Sequence, residues 1–124
     1  MMIRPPLVSV VDDDESIRES LPDLLREFGF AAMAFSSAEQ FLASGHVDET
    51  RCLILDISMP GMSGPELKRE LSKRKLYIPV VFITATGDES APPNERELGT
   101  AECLFKPFSD TGLLAALKAA LRVN

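Results

Sequence analysis

The sequence predicts a doubly wound α/β fold, and three observations predict it. Strand-like and helix-like segments alternate along all 124 residues. Two candidate strands, Leu7-Val8-Ser9-Val10-Val11 and Cys52-Leu53-Ile54-Leu55-Asp56, are near-continuous apolar runs, the pattern of strands buried on both faces of a parallel sheet. Both runs stop in aspartate: Asp12-Asp13-Asp14 follows the first, and Asp56 closes the second. Open α/β sheets bind their ligands at the carboxyl edge of the strands, so two strands deliver carboxylates to the edge where chemistry is expected.

The remaining elements follow in chain order. A helix is expected over Ser16–Phe28, where Ile17, Leu21, Leu24, Leu25 and Phe28 recur at helical spacing and Gly29 stops the run. Pro22 falls inside it. Its ring opposes the Arg18 carbonyl, which predicts a local bend, on the outer side because position 22 lies off the apolar stripe. Ala31–Phe35 reads as the second strand. Ser36-x-x-Glu39 and Ser37-x-x-Gln40 both offer a capping box for a short helix ending near Gly45. Cys52–Asp56 is the third strand. Ser63-x-x-Glu66, with Pro65 in the first turn, opens a helix to about Lys73. Pro79 introduces the fourth strand, Val80–Thr84. In the Ser90–Leu98 stretch Pro92-Pro93 allows only a late helix of about two turns. Cys103–Phe105 is a short fifth strand, and Ser109 or Asp110 caps a last helix with the stripe Leu113, Leu114, Leu117 and Leu121. Five βα units on one parallel sheet give the flavodoxin-like arrangement, in strand order 2-1-3-4-5.

Composition sets the frame. At 45% hydrophobic and 26% charged, the chain reads as one globular domain over residues 1–124, with no output domain. The net charge of −6 argues against a nucleic-acid surface. No apolar run approaches the ~20 residues of a membrane span, and Met1–Pro6 has no signal-peptide core, so a cytoplasmic protein is expected. Cys52 and Cys103 open different strands. With one strand between them their backbones lie ~10 Å apart, beyond the ~7 Å limit for a disulfide, so reduced thiols are expected.

Asp12 and Asp13 after the first strand, Asp56 after the third, Thr84 ending the fourth and Lys106 after the fifth all fall at the carboxyl edge. Like-charged carboxylates at adjacent strand ends raise one another's pKa and cost stability unless a cation compensates. Mg²⁺ suits a few carboxylates plus phosphate oxygens. Lysine and hydroxyl complete a pocket for a tetrahedral, multiply charged phosphoryl group, and an aspartate can act as its nucleophile. Asp14 reads instead as a helix cap and His46 as a solvated loop residue.

Val10-Val11-Asp12-Asp13-Asp14, Asp56-Ile57-Ser58-Met59-Pro60-Gly61-Met62-Ser63-Gly64, Val80–Ala85 and Lys106-Pro107-Phe108 together resemble the response-regulator receiver domains of two-component signalling, over essentially the whole chain. The resemblance implies that Asp56 is the phosphoacceptor and that Asp12, Asp13 and Asp56 hold Mg²⁺ with the backbone carbonyl of Ser58. It implies that Thr84 donates to the phosphoryl group, that Lys106 pairs with it, and that the Lys106–Pro107 bond is cis. The implied partners are a histidine kinase or phosphotransfer protein and a downstream protein, with no nucleic acid or membrane, and the chain is a monomer or weak dimer. Such a domain is a self-phosphorylating and autodephosphorylating switch rather than an enzyme. Ser58 and Thr86, two residues beyond Asp56 and Thr84, flank the approach of water and should tune phosphoryl lifetime.

Two features depart from the family pattern. Three residues before the lysine, where the family usually carries a switching aromatic, stands Cys103, the partner of Thr84 in the expected switch. Pro92-Pro93 disturbs the helix that usually carries the output surface. Two other readings compete. Asp12-x-Asp14-x-Ser16 matches the opening motif of haloacid-dehalogenase-type phosphohydrolases, although Pro92 stands where that family needs its last acidic residue. The other reading is a receiver-fold scaffold that works without phosphorylation.

Overall fold

The computed structural model describes residues 5–85 and 102–122. The elements are β1 (Leu7–Val11), α1 (Glu15–Glu27), β2 (Ala31–Phe35), α2 (Ala38–Leu42), β3 (Thr50–Asp56), α3 (Gly64–Lys73), β4 (Val80–Ala85), β5 (Glu102–Lys106) and α4 (Asp110–Arg122). The five strands form one parallel sheet in the order β2-β1-β3-β4-β5, the predicted order. The helix expected within Ser90–Leu98, with Pro92-Pro93, lies outside the described residues.

Side chains alternate across the sheet, so each central strand feeds two cores. Val8, Val10, Cys52, Ile54, Val81 and Ile83 face Leu21 and Leu25 of α1 and Leu113 and Leu117 of α4. Val11, Leu53, Leu55, Val80 and Phe82 face Phe41 of α2 and Leu67 and Leu71 of α3. This two-sided demand is why β1, β3 and β4 are apolar almost throughout, whereas β2 and β5, at the sheet edges, are only partly buried. Cys52 and Cys103 belong to opposite faces, and both are free thiols.

Three expectations need correction. Pro22 is buried, beside Leu21 and Leu25, and does not sit on the outer side of α1. At about 100° per residue it lies only about 60° from Leu25, within the width of an apolar stripe. α2 ends at Leu42 rather than near Gly45. There Ser44 donates its hydroxyl to the Phe41 carbonyl at 2.7 Å, and its Oγ accepts from His46 N–H, which satisfies the helix end early. Several strands are also longer than the apolar pattern indicates: β3 starts at Thr50, and β5 includes Glu102 and Lys106. Thr50 enters because its hydroxyl meets buried Ser9 at 2.7 Å and donates to the His46 carbonyl.

Two caps match the sequence reading. Ser63 and Glu66 form the reciprocal box at the start of α3, and Ser37, rather than Ser36, caps α2 by accepting from Gln40 N–H. At α4, Ser109 Oγ accepts from Gly112 N–H at 3.0 Å.

Candidate functional site

The carboxyl ends of β1 and β3 meet where the chain turns from one side of the sheet to the other, the switch point of a doubly wound fold. Asp12 continues the ladder, donating its N–H to the Phe35 carbonyl at 3.1 Å, and its side chain is fully buried. Asp12 Oδ1 accepts the Asp14 N–H at 2.8 Å. Asp12 Oδ2 lies 3.0 Å from Lys106 Nζ, an ion pair at the base of the site. Asp56 ends β3 and is 5% exposed, while Asp13 is exposed at the rim. Carboxylate oxygens of Asp12, Asp13 and Asp56 all lie within 4.8 Å of one another.

This crowding has an electrostatic signature. Burial, then the charge of Asp12 and contact with it, push the Asp56 carboxyl from 3.8 up to about 8, against the opposing pull of Lys106. Burial alone would lower the Lys106 ammonium, but Asp12, Asp56 and Asp14 together hold it above its usual value. One lysine does not compensate two buried carboxylates and a third at the rim. The short spacing of the three carboxylates, two of them buried, fits a small, hard divalent cation. Asp12, Asp13 and Asp56 are the residues that would hold it.

The neighbouring strands complete the edge. Asp56 pairs with Ile83, one residue before Thr84, and Thr84 pairs with Phe105, one residue before Lys106. Thr84 is buried. Lys106–Pro107 is a cis bond. Ser58 follows Asp56 closely, and its N–H donates to Asp56 Oδ1 at 3.3 Å. Cys103 is half-buried on the face of α2 and α3, cross-strand from Phe82, while Phe105 is 53% exposed. Thr86 lies outside the described residues. The aspartate triplet divides its work: Asp14 is the N-cap of α1 and accepts from Ser16 N–H at 2.9 Å. In the opening motif that suggested a phosphohydrolase, Asp14 is therefore spent on capping. His46 sits in the turn before β3, 3.5 Å from Glu49, away from the carboxylates.

Two supporting residues escaped the sequence reading. Arg18, one turn into α1, donates to the Asp12 carbonyl at 3.0 Å and so braces the turn that carries Asp12 and Asp13. Gly64 backs onto the acceptor strand: its N–H donates to the Ile57 carbonyl, and any Cβ there would overlap the Asp56 carbonyl oxygen. The only sequence signals were a basic residue on the first turns after the triplet and a glycine at the start of a capped helix. A groove of about 660 Å³ opens beside this site, lined by Ile17, Leu24, Lys106, Pro107 and Phe108.

The model of the response regulator receiver domain matches residues 8–118. The chain belongs to this family. It is 42% identical to nodulation protein W of Bradyrhizobium diazoefficiens over 92% of this chain and 50% of that protein. It is 40% identical to the transcriptional regulatory protein FixJ of Azorhizobium caulinodans over 92% of this chain and 54% of that protein. The receiver thus spans about half the length of the curated relatives it matches. Among solved structures it resembles the response regulator StyR, at TM-score 0.86 and 45% identity over 97% of this chain and 61% of that one. It also resembles the structure titled FixJ-N, at TM-score 0.80 and 37% identity over 98% of this chain and 96% of that one. A receiver of two-component systems is a signalling switch rather than a classical enzyme, and neither the phosphohydrolase nor the scaffold reading is favoured. Among the described residues no helix is long and apolar enough to cross a membrane.

Proposed function

We propose that Asp56 accepts a phosphoryl group from the phosphohistidine of a histidine kinase or phosphotransfer protein. The observation that carries this reading is the convergence of Asp12, Asp13 and Asp56 within 4.8 Å of one another, with Lys106 3.0 Å from Asp12. An Asp56 carboxylate oxygen attacks phosphorus, the phosphorus–nitrogen bond to the donor histidine breaks, and an acyl phosphate forms on Asp56. Asp12, Asp13, Asp56 and the Ser58 carbonyl would hold Mg²⁺, which would supply positive charge for the phosphoryl oxygens. Lys106 pairs with one of those oxygens and Thr84 donates its hydroxyl to another. Attack of water on phosphorus releases inorganic phosphate and restores Asp56, and Ser58, two residues beyond Asp56, tunes that step.

The groove beside Lys106 supports a protein as donor, because it extends an apolar surface from the site along α1. The reading extends to a cytoplasmic protein, monomeric or weakly dimeric, that signals by protein contact. Its test is direct. Acetyl phosphate with Mg²⁺ should add one phosphoryl group, detected by mass and removed by hydroxylamine, and Asp56→Asn should take up none. A hydroxylamine-stable adduct, or one retained in Asp56→Asn, would move the acceptor to a hydroxyl such as Ser58.

A further inference from the structure

The loop between Asp56 and α3 carries the Ser58 carbonyl, and it is tied at unequal strength along its length. At its near end Ile57 N–H continues the ladder to the Ile83 carbonyl at 3.0 Å, and Ser58 N–H reaches Asp56. At its far end Gly64 N–H closes the loop on the Ile57 carbonyl at 3.1 Å. The bulge between, Pro60-Gly61-Met62, begins with a proline that has no N–H to give. It is held from another element: Glu39 of α2 reaches across 23 residues, and its Oε2 accepts the Met62 N–H at 3.2 Å.

Gly61 is shaped for this contact. Its φ is +76°, and a Cβ there would stand 2.9 Å from Glu39 Oε2, so the carboxylate packs on the space a side chain would take. Glu39 is itself aimed by its helix. Ser37 caps α2, while Ala38 and Phe41 are buried and Phe41 stacks edge-on against Phe35 at 5.4 Å. That seating leaves Glu39 on the side that faces the loop.

We infer that Glu39 is a positioning residue for the metal site, holding the Pro60–Met62 bulge so that the Ser58 carbonyl is directed at the cation bound by Asp12, Asp13 and Asp56. This rests on the metal site proposed above. The Met62 N–H is satisfied only if an acceptor oxygen reaches it from α2. Groups that orient a metal's ligands without touching the metal commonly change its affinity about tenfold or more when removed. The carboxylate would act by reach, not by its negative charge, and this separates it from a general electrostatic effect.

The experiment titrates Mg²⁺ into wild type, Glu39→Gln, Glu39→Asp and Glu39→Ala by calorimetry. Amide exchange at Met62 and circular dichroism are followed in the same proteins. Glu39→Gln keeps an oxygen at the right distance and should bind within a few-fold of wild type. Glu39→Asp keeps the charge but is one methylene short, and should lose about tenfold, as should Glu39→Ala. Both should show faster Met62 exchange with the far-ultraviolet spectrum retained. The acetyl phosphate reaction should need correspondingly more Mg²⁺ but reach a similar maximal rate. Wild type that binds no Mg²⁺ would overturn the metal site and this role with it. Wild-type binding in Glu39→Ala, or a loss that follows charge rather than reach, would overturn the role of Glu39 alone.

Discussion

Asp56 is the residue under most electrostatic pressure, and the pressure has a sign. Its carboxyl titrates near 3.8 when free and at about 8 in the folded chain, through burial and then Asp12. Between those values the unfolded chain gives up its proton while the folded chain keeps it. Metal-free stability from this group is therefore full below about pH 4 and declines as pH rises toward 8. Asp56→Asn should remove the decline and raise the metal-free melting temperature at pH 7.5 by at least about 3 °C. Saturating Mg²⁺ should raise the wild-type melting temperature and leave Asp56→Asn little changed, both measured by scanning calorimetry. Gly64 is constrained by space instead. Gly64→Ala would press a methyl against the Asp56 carbonyl, and overpacking of this kind costs about 1–3 kcal/mol. Denaturant unfolding should show that loss, with a slower acetyl phosphate reaction because the acceptor strand must shift. The carboxylates were legible in the sequence because each ends an apolar run. Gly64 and Arg18 were not, because their partners, the backbone oxygens of Asp56 and Asp12, carry no side-chain signature.

Elements with local rules were read closely, and elements whose ends depend on tertiary contacts were not. The box of Ser63 and Glu66 is a local device, and α3 starts where it says. Ser63→Ala should cost about 1 kcal/mol, seen as a shift of the urea midpoint at unchanged slope. A larger loss would mean that Ser63 also supports the loop carrying Ser58. α2 stops short of Gly45 because Ser44 donates its hydroxyl to the Phe41 carbonyl. Pro22 packs inward because the buried face of α1 is wider than the stripe of Ile17, Leu21, Leu24, Leu25 and Phe28. β3 begins early because Thr50 shares a buried hydrogen bond with Ser9, a pairing across 41 residues that periodicity does not report. The tie from Glu39 to Met62 is hidden in the same way.

At the scale of the molecule, two cores share one sheet, and a signal at the carboxyl edge spreads only if some element is stable in two arrangements. In the family pattern an aromatic three residues before the lysine fills space vacated by the threonine, burying apolar surface in one arrangement only. This chain has Cys103 there, half-buried across from Phe82, and Phe105, of the same strand parity, is 53% exposed. At about 25 cal/mol per Å², an area smaller by about 100 Å² removes roughly 2–3 kcal/mol of bias between the two arrangements. Beryllofluoride with Mg²⁺, which imitates the phosphoryl group, should therefore slow amide exchange at Asp12, Asp13 and Ser58–Met62 far more than at Cys103–Phe105. Cys103→Phe should restore area that changes environment and raise the response of β5. Equal protection in β5 and the site loops of wild type would show that switching here does not depend on the size of residue 103. No added response in Cys103→Phe would show that the space beside Phe82 is closed in both arrangements.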